Sequence, residues 1–193
     1  YGEPKNSTFW EPIHEFYGTF DGNGKTLNYF TMNNFHENQE GGSFGFIGTL
    51  KNGATVKNLA VTEGSVEVSG GIWAGGLVGH NQGTIKQCSF NGSITTADHY
   101  NSTERLSLGG LVGYNEGIVE DCTSAGTVST SNVFNRQGQL DIGGLVGKNN
   151  NLIQISENKA KVLAGSRIGA IFNGANVGGI AGSNQQSGRI ISC

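Results

Sequence analysis

One phrase recurs in this chain at a nearly fixed interval. Gly75-Gly-Leu-Val-Gly-His-Asn81 is followed 34 residues later by Gly109-Gly-Leu-Val-Gly-Tyr-Asn115, and after another 34 by Gly143-Gly-Leu-Val-Gly-Lys-Asn149. Gly178-Gly-Ile-Ala-Gly-Ser-Asn184 comes 35 further on, and a degenerate copy, Phe44-Gly-Phe-Ile-Gly48, sits 31 residues before the first full one. A fixed period of about 20–50 residues marks a solenoid, propeller or array, because each unit buries its apolar face only against its neighbours. A propeller blade takes four strands and about 40–50 residues, so a 34-residue unit suits a solenoid coil better.

Each copy parses alike. Gly-Gly-Leu-Val-Gly reads as a short buried strand flanked by glycines, Asn-x-Gly as a turn, and Thr84 to Cys88 as a strand alternating in and out. Asn91-Gly92 or Ala125-Gly126 reads as a second corner, followed by a third short strand at 93–95 or 127–129. Polar loops of variable sequence at 96–106, 130–140 and 164–176 close the repeats. Three strands and turns per unit describe a coil of a parallel β-helix, an all-β fold. No stretch combines helical periodicity with caps. Stacked in register, Leu77, Leu111, Leu145 and Ile180 form one interior ladder. Val78, Val112, Val146 and Ala181 face the other way, toward a second covering layer. Asn81, Asn115, Asn149 and Asn184 form a corner ladder whose amides bond from coil to coil.

The whole of 1–193 is thus one β-helix domain. Residues 1–17 are an irregular, aromatic-rich end cap, and 18–74 are early degenerate coils. The repeats occupy 75–108, 109–142, 143–177 and a truncated 178–193. An open first coil needs such a cap.

Charge narrows the partners. The net charge is −3 with no basic run, which argues against nucleic acid. No apolar run approaches the ~18–20 residues of a membrane span, so no membrane insertion is expected. The chain begins at Tyr1 and carries no signal peptide, as a mature or excised piece would.

Cys88, Cys122 and Cys193 occupy equivalent places, with Ser156 standing in the third copy. Strands one coil apart lie about 4.8 Å from each other, within Cα reach of a disulfide. A buried ladder of small thiols is the preferred alternative. The paired Cys-x-x-Cys spacing of a zinc site is missing, and no cofactor is expected. The acids are scattered, and Glu120-Asp121 forms no stacked acidic row. His80 gives way to Tyr114, Lys148 and Ser183 in later copies, which reads as an outward, unconstrained slot. No catalytic residues are assigned, and the chain is expected not to be an enzyme.

Gly76-Leu-Val-Gly79, Gly110-Leu-Val-Gly113 and Gly144-Leu-Val-Gly147 resemble the GLUG motif, with Gly179-Ile-Ala-Gly182 a looser copy. Phe16 to Lys25, Phe44 to Gly48 and Val56 to Leu59 look like the lead-in that precedes such repeats, extending the resemblance over 16–193. The resemblance implies a right-handed parallel β-helix on a large secreted or wall-attached bacterial protein. Adhesins and accessory regions of immunoglobulin-A1-cleaving metallopeptidases are of this kind. The His-Glu-x-x-His of a zinc protease is missing here.

Function then falls to the loops. Tyr100, Phe134 and Phe172, with Asp98, Arg105 and Arg136 as polar neighbours, form a candidate recognition strip for a host glycan or extracellular-matrix protein. The plainer reading folds these aromatics back onto the solenoid flank. The expectation is an extracellular or cell-surface adhesin-like spacer, with further domains of the same parent chain as its other partners. A carbohydrate-active β-helix enzyme and a metallopeptidase accessory region are the alternatives.

Overall fold

The computed structural model describes residues 9–34, 42–69, 73–97, 100–102, 105–131, 134–136, 138–164 and 174–193. Among the described residues every regular element is a β-strand, and the strands gather into sheets of 6, 5, 11 and 2. The six-stranded sheet stacks Ile13–Phe16, Ile47–Leu50, Val78–Asn81, Val112–Asn115, Val146–Asn149 and Ala181–Asn184 in chain order. Its pairs are parallel and in register, with Val112 between Val78 and Val146. The five-stranded sheet stacks Ser43–Phe44, Trp73–Gly75, Leu106–Gly109, Leu140–Gly143 and Ala175–Gly178. Each strand therefore pairs with its own copy in the neighbouring coil, which makes the fold a parallel β-solenoid.

The glycine phrase is a corner rather than a strand. Gly75 ends one strand, Gly76 and Leu77 form the bend, and Val78 opens the next. The bend is tight because backbones pass in contact. A Cβ on Gly113 would stand 2.5 Å from Ala74 N and 2.9 Å from Trp73 C, closer than real side-chain carbons approach. Asn91-Gly92 lies inside one strand, Ser89–Thr96, and the paired strand Thr55–Val68 carries an extra residue opposite it, Glu63 (φ 53°), taken up as a register shift.

The other corner uses a left-handed backbone at Asn58 (φ 55°), Gln87 (φ 53°), Asp121 (φ 51°), Ile155 (φ 51°) and Ser192 (φ 54°). Only Asn58 and Asp121 have side chains that favour this region.

The N-terminal segment is more regular than its sequence indicates. Ile13–Phe16 is the first strand of the six-stranded sheet. Around it, Trp10 stacks on Phe46 at 4.7 Å and its Nε1 donates to Phe46 O at 3.0 Å. Phe20 and Phe30 meet Phe46 edge-on at 5.6 and 6.1 Å. Phe9 and Tyr17 stay exposed.

The leucine and valine rows are both fully buried and belong to one apolar cluster, while Ile180 and Ala181 are partly buried. The asparagine row is continuous. Asn81, Asn115 and Asn149 donate through Nδ2 to Asn115, Asn149 and Asn184 Oδ1 at 2.7, 2.8 and 2.7 Å. Asn81 and Asn115 Oδ1 also accept from Gly83 N and Gly117 N. Cys88 and Cys122 are free and buried, and Cys193 is free and exposed. The bond to the Cys88 thiol, aided by burial, pushes the Cys122 thiol up and keeps it protonated. Ser156 takes the next place, accepting from Cys122 N at 3.1 Å.

Candidate functional site

The loops that follow Thr96 and Thr130 stack on one another. Tyr100–Ser102 and Phe134–Arg136 form a two-stranded parallel sheet in which Tyr100 faces Phe134 across the register and Ser102 faces Arg136. The structure thus sets Tyr100 and Phe134 in equivalent places one coil apart, with Arg136 two residues further along. Asp98 and Phe172 lie outside the described residues. Arg105 turns to the solenoid wall, where its Nε donates to Asp141 Oδ2 at 2.8 Å. Asp141 is fully buried, and its Oδ1 accepts from Asn176 Nδ2 at 2.7 Å.

Beside Arg105 lies a cluster that the sequence reading passes over. His80, Tyr114 and Lys148 occupy successive places in the six-stranded sheet. The rings of His80 and Tyr114 stack at 5.1 Å and 11°. Trp73, from the five-stranded sheet, leans across both at 4.5 and 5.2 Å. Lys148 Nζ sits 4.6 Å from the Tyr114 ring centre. Glu116 closes the group, with one carboxylate oxygen 2.8 Å from His80 Nε2 and the other accepting from Tyr114 OH at 2.8 Å.

The slot read as outward and unconstrained is covered and tightly engaged. His80 is 8% exposed and Tyr114 9%. A slot that changes from copy to copy is free in composition, not in exposure. The signal was a tryptophan seven residues before the first copy's histidine, which only the corner geometry turns toward it.

Burial sets the protonation here. It lowers the His80 pKa despite the neighbouring carboxylate. Burial also opposes ionisation of Glu116, but the Tyr114 hydroxyl and His80 outweigh it and hold the carboxyl below its ordinary value. Burial and then Glu116 push the Tyr114 phenol up to about 12. Burial, with Arg105 nearby, lowers Lys148. At neutral pH the cluster thus holds a carboxylate accepting from a phenol, beside an uncharged imidazole. An open groove of about 590 Å³ begins at Glu116 and continues past Gln82, Thr84 and Asn151.

Residues 70–95 and 105–129 match the family described as the GLUG motif. The GLUG match thus covers two consecutive coils. A stretch of 88 residues, 46% of the chain, is 31% identical to Halomucin of Haloquadratum walsbyi. The chain spans about 1% of that relative's length. No solved structure matches it. Trp73 and His80 lie in the first GLUG match, and Arg105, Tyr114 and Glu116 in the second. Each sits at a place where the two copies differ, since Ser107 follows Trp73 and Tyr114 follows His80 in register.

Proposed function

We propose that this chain is a surface-associated, non-catalytic repeat module of adhesin-like type. It is a stiff rod that displays loops along one flank to a glycan or host protein and holds them away from a cell. The observation that carries the reading is the Tyr100–Ser102/Phe134–Arg136 sheet. It makes the loops of consecutive coils an extension of the solenoid, with like residues repeated along its axis, which suits an extended ligand. The GLUG repeats and the similarity to Halomucin support surface association. Support for a non-catalytic role comes from the carboxylates near the face. Asp141 is buried under Arg105 and Asn176, and Glu116 is engaged by His80 and Tyr114. Glycoside hydrolysis needs two carboxylates free to flank a scissile bond.

The test is a glycan and matrix-protein array probed with the chain and with a Tyr100→Ala/Phe134→Ala/Phe172→Ala variant of equal melting temperature. Binding lost in the variant supports a recognition strip. Binding by neither protein overturns the strip and leaves a spacer.

A further inference from the structure

The Trp73–Lys148 face differs from the rest of the wall in size and chemistry. The row in the six-stranded sheet reads Thr49, His80, Tyr114, Lys148, Ser183 in register. Large side chains fill three coils and stop at a small hydroxyl residue on each side. The patch is bounded and spans two coil steps, about 10 Å along the axis.

Its parts are held before anything binds. Trp73 remains partly exposed, while the rings it leans on are closed off. The Arg105 and Glu116 side chains are 31% and 35% exposed, each anchored by a partner beneath. Anchored groups lose little rotamer freedom on binding. They also keep capacity: a guanidinium has five N–H donors and Asp141 takes one, and a carboxylate can accept about four bonds. The formal charges cancel, Arg105 and Lys148 against Asp141 and Glu116. With no net charge, the face carries no overall sign that would favour an anion or a cation.

We infer that this face is a binding site for a neutral saccharide of about two rings. One sugar lays its C–H face on Trp73, and hydroxyls bridge Glu116 to Arg105 and Lys148. An aromatic surface edged by paired charged donors and acceptors, with zero net charge, matches a ring that has an apolar face and hydroxyl edges. The site shares a saccharide ligand with the proposed function but uses other residues, so either can fail alone.

The experiment titrates the isotope-labelled chain with neutral hexose oligosaccharides and with uronate-bearing ones of equal length, at low and high salt, by NMR and calorimetry. Neutral sugars bind, their affinity changes less than twofold with salt, and the shifts centre on the Trp73 indole N–H. Trp73→Ala weakens binding at least tenfold, Trp73→Phe restores most of it, and Tyr100→Ala/Phe134→Ala leaves it unchanged. Mapping on the unaltered chain decides the matter if Trp73→Ala does not fold. The inference is overturned if no neutral sugar binds, if only acidic sugars bind with steep salt dependence, or if the shifts centre elsewhere.

Discussion

Two rows of side chains run along the six-stranded sheet, one residue apart in every strand, under opposite rules. Asn81, Asn115, Asn149 and Asn184 never change, while His80, Tyr114, Lys148 and Ser183 never repeat. An amide in the first row closes its own turn and bonds to the same residue in the next coil. Only a side chain with both a donor and an acceptor group at that length does both. In the second row each side chain answers whatever stands nearby, imidazole and phenol to Glu116, ammonium to the phenol ring. His80 and Tyr114 are nearly as buried as Asn81, Asn115 and Asn149. Stacking therefore demands identity only where a residue must bond to its own copy, and burial alone does not.

Breaking the amide row should cost most. Asn115→Ala leaves the Gly117 amide without its partner and takes one bond each from Asn81 Nδ2, Asn149 Oδ1 and Leu152 O. With about 1–3 kcal/mol for the orphaned amide and about 0.5–1.5 kcal/mol for each of the other bonds, the expected loss is about 4 kcal/mol, read from urea denaturation. A loss under about 1 kcal/mol would put these asparagines among ordinary corner residues.

The left-handed corner supplies an intermediate case, in which backbone repeats and residue does not. Ile155 is β-branched, 59% exposed and at φ 51°. Ile155→Asn should raise stability by about 1 kcal/mol in the same assay, because the left-handed region costs most residues about 1–2 kcal/mol and asparagine less. A loss instead would mean that the corner relies on the isoleucine side chain.

In the variable row, Lys148→Ser, which copies the next coil, should cost only about 0.5–1 kcal/mol, the worth of a cation–π contact. A cost near that of Asn115→Ala would erase the contrast between the rows.

The smallest effect is one of pH. His80 is harder to protonate folded than unfolded, because burial disfavours its charge. The unfolded chain then takes up more protons, so stability falls as pH drops below about 6.5. His80→Gln should flatten the melting temperature between pH 7 and 5 relative to the unaltered chain. Equal slopes in both would remove the imidazole from the account.

Repetition made the architecture legible. The 34-residue step and the identical asparagines specify stacking in register, since only a coil meeting its own copy needs the same amide at each turn. Local detail was less legible. Gly-Gly-Leu-Val-Gly looked like a strand because its apolar pair is buried, yet the glycines mark where two backbones touch. Gln87, Ile155 and Ser192 carry no sign of positive φ, because the coil above and below imposes it. Ile13–Phe16 pairs as a strand without any repeat to announce it. Of the candidate strip, the backbone aligns Tyr100 with Phe134, whereas Arg105 belongs to the wall beside Trp73 and Tyr114. That grouping depends on which side chains a corner turns toward each other, and a residue pattern does not record it.

The pairing of every strand with its copy one coil away has a mechanical consequence. The hydrogen bonds of the sheets point along the rod, so a pull along its axis loads them end-on at one exposed edge rather than in shear across many strands. Coils then peel away singly. Each frees 34 residues, roughly 110–120 Å of slack at about 3.3–3.6 Å per residue. Such a tether lengthens in equal steps under load, and the edge left behind is the template on which the freed coil winds back.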